Sequence, residues 1–222
     1  AKNKIVLLEI LGARRAVAHF DVVSKQTTSA DSTVKKAAYH ALPNVSAGSN
    51  VSALLKMLVG METRNEQRAI QAAIISALDK NSAPLVNELY ATQKTKVLPV
   101  LPYLNDVGAL EKVVTAFYHG NESEKKVAFD ALRNWQDHGA IRTLMAIRKD
   151  ESLKPYHAQA LQSLVSQAGK SVWPDDQKLL MLREMMTLAS NKNEKTTILR
   201  AAGSVRTFLS LVFVSNYLDD QE

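Results

Sequence analysis

Five histidines, His19, His40, His119, His138 and His157, are the side chains of this 222-residue sequence best suited to hold a metal or move a proton near neutral pH. None stands four residues from another and no H-E-x-x-H run occurs, so their spacing gives a zinc site no local support. The complete lack of Cys removes thiolate ligands, thiol nucleophiles and disulfides together. An activated serine needs a strained turn of the G-x-S-x-G kind and a phosphate cradle needs clustered glycines; neither pattern is present. Carboxylates do sit side by side, at Asp150-Glu151, Asp175-Asp176 and Asp219-Asp220. Glycoside hydrolysis requires two that face each other about 5 to 10 Å apart across a cleft, which adjacency along the chain does not supply. Asp175 and Asp176, just after Pro174, suit instead the positive first turn of a helix. The residues predict a non-enzymatic chain without a cofactor or metal.

Binding chemistry is better represented. Lys and Arg outnumber Asp and Glu by 28 to 22, a formal charge of +6. Arg68, Lys94, Lys125, Lys154 and Lys192 recur along the chain, and Lys4, Lys35, His157 and Lys195 stand three residues further on in their own repeats, on the same helical face. Stacked side by side these would form a basic stripe able to meet an acidic protein, nucleic acid or a sulfated glycan. The stripe also reads as a solvated face, since Asp31 with Lys35, Glu122 with Lys126 and Asp150 with Lys154 have the spacing of acid-before-base helix pairs. Aromatic residues are 6% of the chain, too few to interleave such a stripe for base stacking. Of the two tryptophans, Trp135 occupies a position filled elsewhere by core residues and is expected to be buried. Trp173, in Gly169-Lys-Ser-Val-Trp-Pro-Asp-Asp176, either staples the next helix on Leu179 or Leu180 or anchors a partner, with Tyr156 as a neighbour.

What positions these residues is a repeat. The apolar or small residues Leu11, Leu42, Leu78, Leu104, Trp135, Leu164 and Ala202 follow one another at 26 to 38 residues. Three residues before each stands an apolar residue (Leu8, Tyr39, Ile75, Leu101, Leu132, Leu161, Leu199), and five after each a small one (Ala16, Ala47, Ala83, Ala109, Ala140, Gly169, Thr207). An apolar pair at i, i+3 marks one face of a helix, and a small residue past the turn lets the next helix approach closely. Each repeat is read as a first helix, A, and a second helix, B, that ends at the anchor. The A helices are expected at about 16–25, 50–61, 83–92, 109–118, 140–148, 175–189 and 208–218. Turns such as Asn105-Asp106-Val107-Gly108 and Gln136-Asp137-His138-Gly139 separate B from A. Leu98-Pro99 and Leu101-Pro102 are expected to kink or shorten the fourth B helix. No stretch alternates with period two, so the fold class is all-α.

The segment Asp31-Ser-Thr-Val34-Lys35-Lys36-Ala37-Ala38-Tyr39-His40-Ala41-Leu42 resembles the B helix of a HEAT repeat, an Asp followed by Val-Arg or Val-Lys and then paired Ala and Leu. Lys126-Val127-Ala128-Phe129-Asp130-Ala131-Leu132 and Arg68-Ala69-Ile70-Gln71-Ala72-Ala73-Ile74 are similar to it. The resemblance covers residues 1–222 as one domain. It implies a right-handed α-α superhelix of the HEAT/armadillo type, with about seven helix pairs and the B helices on the concave, ligand-facing wall. It further implies a scaffold that binds a protein partner or a neighbouring domain, with Lys35, Arg68, Lys94, Lys125, Lys154, Tyr156 and Trp173 as contact residues. Nucleic acid or another polyanion is the alternative partner. The stretch from Ile198 through Phe208 to Tyr217-Leu-Asp-Asp is similar to HEAT regions of large exported bacterial proteins that carry a sugar-hydrolase-like domain. That likeness implies an exported bacterial setting and an accessory role beside a carbohydrate-active domain.

Both ends of the sequence are apolar, IVLLEIL within 5–11 and FLSLVFVSNYL within 208–218. A solenoid needs polar caps at its ends. The sequence therefore leads to the expectation of a piece of a longer polypeptide, or of an end that stacks on another copy. Neither stretch approaches the roughly 20 residues of a membrane-spanning helix.

Overall fold

The computed structural model describes residues 1–104 and 106–218, and within them the chain is helical throughout: fourteen α-helices, joined by short 3-10 segments, and no strand. Among the described residues no helix is long and apolar enough to cross a membrane. Asn105 of the expected turn and the Asp219-Asp220 pair lie outside the described residues. The chain divides into two compact units, Ala1–Ala131 and Leu132–Glu222.

In the first unit the B helices are α1 (Lys2–Ala13), α3 (Ser32–Val45), α5 (Arg64–Ala77) and α7 (Lys94–Val97), and the A helices are α2 (Phe20–Gln26), α4 (Val51–Gly60), α6 (Ser82–Tyr90) and α8 (Ala109–His119). The next B helix, α9 (Glu122–Arg133), begins in this unit. The side chain of Asp31 starts α3 by accepting from the backbone N–H groups of Thr33 at 2.9 Å and Val34 at 3.3 Å. Val34, Ala38, Ala41, Leu42 and Val45 then form its buried stripe. Thr63 caps α5, whose stripe is Ile70, Ala73, Ile74 and Ala77. Asn121 and Glu124 satisfy each other's N–H groups at the start of α9. α3 packs between α1 and α5, so B lies on B, and α4 packs on α6, so A lies on A. Gly12 allows the first of these contacts: a Cβ there would stand 3.2 Å from both Cα and Cβ of Ala41.

Pro99 and Pro102 reduce the fourth B helix to the single turn of α7 and a 3-10 turn at Leu101–Tyr103. Both prolines lack the N–H that would extend the ladder. The carbonyl of Lys96, which a regular helix would pair with the N–H of residue 100, is left open because that N–H turns to Val97. The side-chain amide of Gln71 in α5 donates to it at 2.7 Å. Val97, Leu98, Val100 and Leu101 are nevertheless completely buried, so the core runs on through irregular backbone.

In the second unit α10 (Ile141–Lys149), α12 (Asp175–Thr187) and α14 (Phe208–Ser215) are A helices, and α11 (His157–Lys170) and α13 (Lys192–Ala202) are B helices. α11 packs on α10, α12 and α13, and α14 on α12 and α13. α11 runs six residues past its anchor Leu164, burying Gln167 and Ala168, so Gly169 falls inside the helix instead of after a turn. Trp135 is only half-buried, contrary to expectation, because α9 stops at Arg133 and leaves the indole beyond the packed stripe. Asp175 takes the expected place in the first turn of α12 and accepts from the backbone N–H of Arg206 at 3.1 Å. Phe208, Leu209 and Leu211 of α14 are exposed.

Candidate functional site

Between α3 and α5 the B-helix face of the first unit opens into a groove of about 450 Å³. Its lining combines the larger Tyr39, His40, Pro43 and Asn44 on α3 with the small Ala69 and Ala72 on α5. The two helices carry Lys35, Lys36, Arg64 and Arg68 against one carboxylate, Glu66. Glu66 is already engaged: it forms an ion pair with Lys35 across the helix pair and accepts from the Thr63 hydroxyl at 2.7 Å. The hydrogen bond from Lys35, followed by that from Thr63, holds the Glu66 carboxyl below the usual carboxylate range, and Glu66 in turn raises the Lys35 ammonium. Beside the pair the Tyr39 hydroxyl donates to the Met61 sulfur at 3.3 Å; burial, aided by the Glu66 charge, raises its pKa. Lys36 and Arg68 stand exposed. The two helices that form the groove therefore carry an excess of positive charge, and the groove is lined on the α5 side by small residues.

The contact residues expected from the sequence are divided between the units. Lys35, Arg68, Lys94 and Lys125 belong to the first, and Lys154, Tyr156 and Trp173 to the second. Arg68 is exposed one residue before the groove's Ala69, and Lys94 is exposed at the start of α7. Lys125 lies with its ammonium 5.5 Å from the centre of the Phe117 ring. Lys154 is exposed and Tyr156 half-buried in the 3-10 segment Glu151–Tyr156. The Trp173 ring packs on His138 at 5.3 Å between ring centres, while Leu180, one of its two expected staple partners, is exposed. Two sequence expectations for the stripe are corrected. His157 is buried with its ring Nε2 2.8 Å from the Asp150 carbonyl, so it presents nothing to a partner. Asp31 serves as a helix cap, and Lys35 reaches across to Glu66 in the next B helix.

A buried polar contact of the second unit escaped sequence reading. Arg148 on α10 is buried, and its Nη2 donates to the Leu188 carbonyl, to Ser190 Oγ at 2.7 Å and to Glu194 Oε2 at 2.9 Å. Glu194 also accepts from the backbone N–H of Ser190 at 2.7 Å, which joins α10 to the α12–α13 turn. Gln167 similarly donates to the Leu132 carbonyl at 3.1 Å. These are structural ties between helices. Among the described residues no group of three or more His, Cys, Asp or Glu side chains is placed to hold a metal ion.

Comparison of the chain with protein-family models, with curated proteins and with solved structures returns no match.

Proposed function

We propose that the chain is a HEAT-like α-solenoid that acts as a non-catalytic interaction module, its B-helix groove between α3 and α5 receiving an acidic segment of a protein partner. The observation that carries this reading is the groove itself, lined by Tyr39, His40, Pro43, Asn44, Ala69 and Ala72, on two helices that carry the exposed cations Lys36 and Arg68 and a single carboxylate, Glu66, already paired with Lys35. B-on-B packing of α1, α3 and α5, and of α11 with α13, supports a stacked-repeat arrangement within each unit. Long-range attraction of an acidic segment would act mainly on its rate of encounter, and the groove would act on its residence time.

The test is fluorescence anisotropy with a labelled Asp/Glu-rich peptide, a neutral peptide of equal length and a labelled DNA duplex. The acidic peptide is expected to bind, with affinity falling about tenfold or more in the Lys36→Glu/Arg68→Glu variant. Preference for the neutral peptide, or an unchanged affinity in the variant, refutes the assignment. Duplex binding that collapses steeply with salt would instead favour a polyanion-binding role.

A further inference from the structure

The helix pair α3 and α5 carries a cation that the free chain does not display. Lys35 stands one helical turn ahead of Tyr39 on α3 and Glu66 one turn ahead of Ala69 on α5, so their ion pair lies at the N-terminal end of the groove-lining stretch of both helices. The two carboxylate oxygens of Glu66 have different partners. Oε1 takes the Lys35 ammonium, and Oε2 accepts from the Thr63 hydroxyl at 2.7 Å. The pair is also open to water: its Lys and Glu side chains are 36% and 20% exposed, against 4% and 12% for Arg148 and Glu194. Departure of Lys35 would therefore strand no buried charge. Glu66 would keep the Thr63 bond, stay in the positive first turn of α5 and turn Oε1 to solvent. Arg148 has no such freedom.

Resting on the acidic segment proposed above, we infer that Lys35 is a third cation of the same site, masked by Glu66, and that a carboxylate of the bound segment displaces Glu66 from it. Glu66 is then a stand-in for the ligand built into the chain, the same chemical group on the same ammonium beside the same groove. Lys36 and Arg68, exposed on the two helices, attract the segment first, and Lys35 changes partner once a carboxylate is within its reach. The exchange makes the site selective. A neutral segment gains nothing from Lys35, because it cannot replace the ion pair that it would have to open, whereas a carboxylate at this end of the groove restores it. Masking also lowers affinity, since opening the pair is subtracted from what the ligand gains.

Anisotropy of the labelled Asp/Glu-rich peptide with the full chain, at about 0.15 M salt to screen distant charges, tests this. Glu66→Gln, which retains an oxygen for the Thr63 hydroxyl, is expected to raise affinity about two- to fivefold. Adding Lys35→Met to that variant is expected to return affinity to the native value or below it. Glu88→Gln, which neutralises an exposed carboxylate on α6, controls for net charge and is expected to change nothing. Far-UV circular dichroism checks that each variant folds. No gain in Glu66→Gln overturns the exchange. So does a gain that persists without Lys35, which would report relief of simple repulsion, and so does an equal gain in Glu88→Gln. Each of these results leaves the acidic-segment reading standing, provided the native chain binds the peptide and Lys36→Glu/Arg68→Glu weakens that binding. A native chain that does not bind the peptide refutes the reading and the exchange together.

Discussion

Arg148 and Lys149 are neighbours on α10, each paired with a glutamate, and the structure assigns them opposite importance. The Arg148 and Glu194 side chains are 4% and 12% exposed, whereas Lys149 and Glu184, 2.8 Å apart, are 53% and 47% exposed. Truncating one partner of a buried pair leaves the other charge desolvated and costs about 3–5 kcal/mol; an exposed pair contributes about 0–1 kcal/mol. Arg148→Ala also strips a donor from the Leu188 carbonyl and the Ser190 hydroxyl, which places it in the upper part of that range. The pair is not ideally satisfied even when intact, since Arg148 Nε is buried without a partner. Replacing both charges while keeping their volume, as in Arg148→Met/Glu194→Gln, should therefore recover most of the loss. Urea unfolding of the full chain followed by circular dichroism at 222 nm measures all three effects. Arg148→Ala is expected to cost several times as much as Lys149→Ala, with the double variant between them. A loss below about 1 kcal/mol for Arg148→Ala would refute the argument that burial converts this contact from ornament into a structural tie.

Two further perturbations address the first unit. Gln71→Leu keeps the bulk of a buried side chain but removes the donor to the Lys96 carbonyl, and is expected to cost about 1–3 kcal/mol in the same unfolding assay. Acid should destabilise the unit through carboxyls held low in the folded state: Glu66 by Lys35, Asp79 by the Ser82 hydroxyl, and Asp106 by the Asn87 amide. A depressed folded pKa gives stability that is complete above the unfolded value and lost as pH falls through the folded one. The urea midpoint should thus hold steady from neutrality to about pH 5, then fall below about pH 4, with a shallower fall in Asn87→Ala.

The helices were legible because each depends on local periodicity. The i, i+3 pairs Leu8-Leu11, Leu101-Leu104 and Leu161-Leu164 are buried, whereas Ile75 and Leu78 are only half-buried, and the shortening of α7 falls where Pro99 and Pro102 stand. Helix starts were less legible. The second A helix was expected from residue 50 and α4 begins at Val51, but the first was expected from residue 16, where a 3-10 turn at Val17–His19 delays α2 to Phe20. The polar ties were invisible for a different reason: Gln71 meets Lys96 25 residues away, Gln167 meets Leu132 35 away, and Arg148 meets Glu194 46 away. Nothing in the neighbourhood of a Gln or Arg marks it as the cap of a distant helix. For the same reason the regular spacing of Lys35, Lys125 and His157 did not show that one pairs with Glu66, one lies over Phe117 and one is buried. Along the stripe, recurrence in the chain and availability to a partner are separate properties.

The interrupted fourth B helix separates two jobs that a regular repeat performs together. Apolar burial survives there without a full helical ladder, since Val97, Leu98, Val100 and Leu101 stay in the core although the backbone around them is irregular. Packing and main-chain pairing are thus carried by different atoms at 94–104, and a single glutamine, Gln71, takes over one carbonyl that the ladder would have satisfied.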